Sequence, residues 1–114
     1  MIEAIVISHL AAETSLPVYA ERPEVPDSKY IIVEKTGSDR RNHIDIATLA
    51  IQSHAPTLYD AAALNLDVKA AMDKLIANNT IAKVALNSDY NYTDETTKTY
   101  RYQAVYDITY YEEG

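Results

Sequence analysis

Strict alternation over residues 97–111, T-K-T-Y-R-Y-Q-A-V-Y-D-I-T-Y-Y, is the sharpest pattern in the chain. Tyr100, Tyr102, Ala104, Tyr106, Ile108 and Tyr110 fall on one side of an extended backbone. Arg101, Gln103, Val105, Asp107, Thr109 and Tyr111 fall on the other. Aromatic and β-branched residues at period two suit a half-buried pleated surface, so this stretch predicts a strand. Upstream, residues 2–13 follow the helical period, with Ile2, Ile5, Val6, His9 and Leu10 on one side and Glu3, Ser8 and Glu13 elsewhere. Pro17 ends that helix, and residues 18–21 read as a short extended segment. Pro23 and Pro26 then stiffen the loop R-P-E-V-P-D.

Residues 29–36, K-Y-I-I-V-E-K-T, predict a strand whose middle is apolar on both sides, as an interior strand would be. Residues 37–43 are polar throughout and read as a loop carrying Arg40 and Arg41. Alternation resumes over 44–54, with Ala47, Leu49 and Ile51 on one side and Ile46, Thr48 and Ala50 on the other, so the two strands form an antiparallel hairpin. Thr57, with Asp60 three residues on, is a helix N-cap. From there to about Asn78, Ala61, Leu64, Val68, Ala71, Met72 and Leu75 make an apolar stripe. Residues 81–87 predict another strand, with Ile81, Lys83, Ala85 and Asn87 opposite Ala82, Val84 and Leu86. The acidic segment 88–98 joins it to the tyrosine-rich strand, and Tyr90 and Tyr92 continue the alternation, as in a hairpin that outruns the core. The order α-β-β-β-α-β-β gives an α+β fold. An antiparallel or mixed sheet of four to five strands is packed by two helices, with residues 1–114 expected to form one domain.

Composition sharpens this picture in three ways. The chain has 114 residues, enough for one modest core, yet it contains no Phe and no Trp and ten Tyr. Tyr buries a ring but needs a partner for its hydroxyl, so a tyrosine-rich strand serves equally well as an ordinary sheet face or as a contact surface for another subunit. A net charge of −7 argues against grip on a phosphate backbone, which needs a basic footprint. The absence of cysteine excludes disulfides and thiolate metal sites, and no segment has the length of apolar run that crosses a membrane.

Catalytic patterns are lacking. Ser8–His9 and Ser53–His54 are sequence neighbours; on a strand such neighbours point to opposite faces and cannot act as nucleophile and base. Asp94 and Glu95 lie in a polar turn, where carboxylates are ordinarily solvated. The histidines show no metal-ligand spacing, and His9 is expected to be a packed side chain at the edge of its apolar stripe. With two glycines far apart there is no Gly-rich nucleotide cradle. The expectation is a non-enzyme without metal or cofactor.

Taken together, the stretches I-I-V-E-K-T-G (31–37), I-A-T-L-A-I-Q-S-H-A (46–55), A-A-L-N-L-D-V-K-A-A-M (62–72) and L-N-S-D-Y-N-Y-T-D…T-K-T-Y-R-Y-Q-A-V-Y-D-I-T-Y-Y (86–111) resemble a family of phage proteins. These are the tail terminator, or tail completion, proteins of long non-contractile-tailed phages, also called head–tail joining or minor capsid proteins. The resemblance spans nearly the whole chain as a pattern, without a sharp signature. It implies a small α/β subunit of the virion that forms a ring, typically a hexamer. Such a ring caps the tail tube, ends tail polymerisation and offers a docking surface for the head. The implied partners are further copies of the chain, the tail tube protein and a head–tail connector or stopper protein. DNA would pass through the ring without sequence-specific binding, and assembly would occur in the host cytoplasm. On this reading Arg40 and Arg41, with Tyr90, Tyr92, Asp94 and Glu95 on the second arm and Tyr100, Tyr102 and Tyr106 on the strand, are the candidate interface residues. The alternatives are a head-completion or stopper protein of the phage neck, a tail-tube subunit, or a small ligand-binding or regulatory domain unrelated to phage.

Overall fold

The computed structural model describes residues 1–111. Helix α1 (Ile2–Thr14) is followed by the short strand β1 (Val18–Tyr19) and a long hairpin of β2 (Tyr30–Arg41) and β3 (Ile44–His54). Helix α2 (Leu58–Asp73) runs through a 3-10 turn (Leu75–Ala77) into a second long hairpin of β4 (Ile81–Asn91) and β5 (Arg101–Tyr110). The five strands form one mixed sheet in the order β1-β2-β3-β5-β4. The β1–β2 pair is parallel and every other pair is antiparallel. The α+β order inferred from the periodicities is therefore the observed one.

Both helices pack on one face of the sheet. Ile2, Val6 and Leu10, spaced four apart on α1, and Leu64, Val68, Ala71 and Met72 on α2 close over Ile31, Val33, Leu49, Ile51, Ala104 and Ile108. The alternation of β3 and β5 accounts for this selection: Ala47, Leu49 and Ile51 and Ala104, Tyr106, Ile108 and Tyr110 all point to the helix side. Alanine at positions 47 and 104 leaves room for the helices, so leucine and isoleucine fill the layer between. Local chemistry fixes the element ends. Thr57 Oγ1 accepts the Asp60 amide at 3.1 Å as the N-cap of α2. Ser15, in the left-handed region at φ 58°, closes α1 by donating its amide to the Ala11 carbonyl at 3.0 Å.

Four expectations need correction. Residues 37–41 are strand, not loop: β2 continues to Arg41, and only Asn42 and His43 turn, at φ 52° and 68°. The two-residue turn with both φ positive matches the twist of its flanking strands. This half of β2 has solvent on both sides, so its sequence shows no alternation, and a bulge at Thr36 shifts the parity. In β4, bulges at Ala82 and Asn87 break the simple alternation. Ile81 consequently joins Val84 on the core side while Lys83 and Ala85 face away. β5 begins at Arg101, because residues 95–98 form a turn closed by an Asp94–Thr99 bridge. Helix α2 itself stops at Asp73, and the stretch to Asn78 continues as the 3-10 turn.

Candidate interaction surface

The two hairpins end at opposite poles of a molecule 44 Å long and 25 Å across. The β2–β3 turn lies at the pole where Asp45 pairs with Tyr110, and the β4–β5 loop lies where Asn91 pairs with Tyr102. Eight residues of β5 separate these levels, roughly 27 Å at strand rise.

At the first pole Arg40 and Arg41 are exposed. Arg40 Nε sits 3.7 Å from Asp45 Oδ1, and Arg41 Nε donates to Asp39 Oδ2 at 3.1 Å. Arg41 and Asp39 share the face away from the helices, while Arg40 and Asp45 share the helix face. The Arg41–Asp39 pair is exposed, a kind that contributes about 0–1 kcal/mol, so the Arg41 guanidinium is cheaply released to a partner. Asp45 is buried and its second oxygen has no hydrogen-bond partner, so Arg40 is held more firmly by the carboxylate it neutralises.

The second pole gathers the aromatic candidates. Tyr90 and Tyr92, 41% and 44% exposed, meet edge to face at 5.9 Å and 88°. The Arg101 guanidinium lies over the Tyr92 ring at 4.6 Å, and its Nε donates to the Tyr92 carbonyl at 2.7 Å. Asp94 is tied into the turn, its Oδ1 accepting the Thr96 amide at 3.0 Å; Glu95 is exposed at the tip. Tyr100 and Tyr102 are half-buried. Tyr106 does not belong with them. It is 2% exposed in the core under α2, and burial, reinforced by the charges of Asp73 and Asp89, pushes its hydroxyl pKa up to about 12. Its ring is a core ring and presents nothing to a partner.

Sequence reasoning missed a connected row on the sheet face opposite the helices. His54 Nε2 donates to Gln52 Oε1 at 3.1 Å, Gln52 Nε2 to Gln103 Oε1 at 3.1 Å, and Gln103 Nε2 to the Tyr90 hydroxyl at 2.6 Å. The His54 ring stacks on Tyr30 at 4.5 Å and 12°, and Tyr19 meets Tyr30 edge-on at 6.2 Å. One line of polar and aromatic side chains thus crosses the sheet from β1 to β4, every donor pointing the same way. The signal was present in the alternation, since Gln52 and His54 and then Gln103 occupy the positions opposite the apolar set. What linear sequence could not supply is the β3–β5 register that places Gln52 directly opposite Gln103. Higher on the same face Thr48 donates to Asp107 at 2.8 Å, and Asn87 donates to its other oxygen at 3.0 Å. The polar side chains of this face are hydrogen-bonded largely to one another.

The adjacent Ser–His pairs are not juxtaposed for catalysis. His9 Nε2 donates to the Ala71 carbonyl at 2.6 Å, tying α1 to α2. Ser53 points into the core side while His54 lies on the opposite face. Among the described residues no three His, Cys, Asp or Glu side chains gather as a metal site. No helix among them is long and apolar enough to cross a membrane.

No protein-family model matches the chain, and no curated protein matches it. Among solved structures it is similar to a chain in the virion of a native gene transfer agent particle, with a TM-score of 0.57 and 14% sequence identity. The match covers 96% of this chain and 93% of that one, so the two share a fold from end to end.

Proposed function

We propose that this chain is a virion structural protein of the tail terminator type: a subunit of a ring, expected to be a hexamer, that caps the tail tube, ends its polymerisation and offers the surface on which the head docks. The observation that carries the reading is the likeness of fold, over 96% of this chain, to a chain of a virion particle. The sequence resemblance to tail terminators supports the narrower assignment. So does the build of the subunit, with unlike side chains at two opposite poles, Arg40 and Arg41 in ion pairs with Asp45 and Asp39 at one and Tyr90, Tyr92 and Glu95 exposed at the other. A subunit placed between a tube and a connector needs two such unlike ends. Its net charge of −7 suits a passage through which DNA moves without being held. The partners on this reading are other copies of the chain, the tail tube protein and the head–tail connector or stopper.

The test is to add purified protein to tail-tube subunits undergoing polymerisation and to measure tube length in negative stain. A terminator shortens and arrests the tubes and is found as a ring at one tube end. Unchanged tube growth, with binding to the connector alone, would replace this reading by the stopper assignment.

A further inference from the structure

The sheet has two open edges that are suited to one another. Among the described residues β1 covers β2 only at Ile31 and Ile32, so the outer edge of β2 is free from Glu34 to Arg41. On the far side, no strand among the described residues neighbours the outer edge of β4 along its length from Ile81 to Asn91. Three successive antiparallel pairings lie between them, so β2 and β4 run in opposite directions. A second copy related by rotation about an axis along the strands therefore brings its β4 antiparallel to β2 of the first.

Resting on the ring reading above, we infer that neighbouring subunits join by pairing the Glu34–Arg41 edge of β2 with the Ile81–Ser88 half of β4 on the next copy. With the ring axis along the strands, rotation without rise brings the two edges together at equal height. Heights follow from the register through β3 and β5. Asp39 is level with Lys83, Gly37 with Ala85, and Lys35 with Leu86. The level register therefore sets opposite charges together at Asp39 and Lys83, both on the face away from the helices, and small residues at Gly37 and Ala85. It also lays the Lys35 stem beside Leu86, which is otherwise 46% exposed. Sliding β4 by two residues toward the β2–β3 turn sets Lys83 against Arg41. A one-residue slip turns every side chain to the wrong face. The lysine on β4 and the bulges at Ala82, Asn87 and Thr36 guard these edges against indiscriminate pairing, and the complementary copy supplies the carboxylate that Lys83 meets.

The chain has no cysteine, which makes cross-linking decisive. In the double variant Asp39→Cys, Lys83→Cys, directly opposed strand positions lie within disulfide reach, so oxidised glutathione should convert assembled protein into a ladder of covalent multimers ending at the ring number. Neither single-cysteine variant should give that ladder. Both positions are exposed, and circular dichroism of each variant confirms the fold. In parallel, Asp39→Lys and Lys83→Asp should each raise the concentration for half-assembly at least about tenfold, and the double swap should restore it to within about threefold. If the wild type forms rings in negative stain while no ladder appears and the single swaps assemble normally, the edge pairing is overturned and the ring reading stands. A wild type that stays monomeric at every concentration overturns both.

Discussion

Exchanging His54 for glutamine tests whether the polar row on the open sheet face is set as described. The imidazole is 3% exposed, donates through Nε2 to Gln52, and stacks on Tyr30. Its other nitrogen, Nδ1, is buried without a hydrogen-bond partner, so a second proton would place a charge where nothing receives it. Burial, aided by the positive charges of Arg101 and Arg22, lowers the pKa from 6.5 to about 4. The unfolded chain therefore takes up this proton before the folded one, and stability that is fully present above pH 6.5 is lost as the pH falls toward 4. At 1.36 kcal/mol per tenfold change the whole window corresponds to ~3 kcal/mol. Partial screening by water at the rim of the face reduces the expected loss to about 2 kcal/mol. Urea unfolding of the wild type and of His54→Gln at a series of pH values from 7.5 to 4.5 reads it directly. Carboxylate titrations common to both proteins cancel in the difference. The wild type should lose about 2 kcal/mol relative to the variant across that range. A difference that stays constant to within about 0.5 kcal/mol would refute the burial argument.

Three further outcomes follow from the packing and the turns. Leu49→Ala removes a fully buried side chain from the middle strand beneath both helices and should lower stability by about 2–5 kcal/mol in urea unfolding; a loss under about 1 kcal/mol would contradict its place in the core. His43→Gly relieves a non-glycine residue at φ 68° in the two-residue turn and should raise stability by about 0.5–1 kcal/mol, whereas a decrease would argue against that turn geometry. In an ultraviolet titration, a hydroxyl that ionises at about 12 should disappear in Tyr106→Phe; an unchanged tyrosine titration curve in that variant would reassign the buried phenol.

Sequence legibility followed periodicity. Both helices and the middle strands β3 and β5 were readable because each has one buried side, and burial writes itself into the pattern as period 3.6 or period 2. The distal half of β2 was not readable: residues 34–41 are exposed on both sides, so polar residues stand at every position and the stretch resembles a loop. β4 was blurred for another reason, its bulges at Ala82 and Asn87 changing which parity faces the core. Tyr106 shows the limit for the candidate surface. Alternation placed it beside Tyr100 and Tyr102, but only the position of α2 along the sheet decides which rings of that series are covered. The row from His54 to Tyr90 depends on three strands meeting in register, information that resides in pairing rather than in any one segment.

Ring formation is read by light scattering coupled to size exclusion over a range of concentrations, with negative-stain images of the same peak. The reading proposed here requires one discrete multiple of the subunit mass, expected to be six, and images of closed rings with a central opening. A monomer at every concentration, or open filaments of indefinite length, would contradict it.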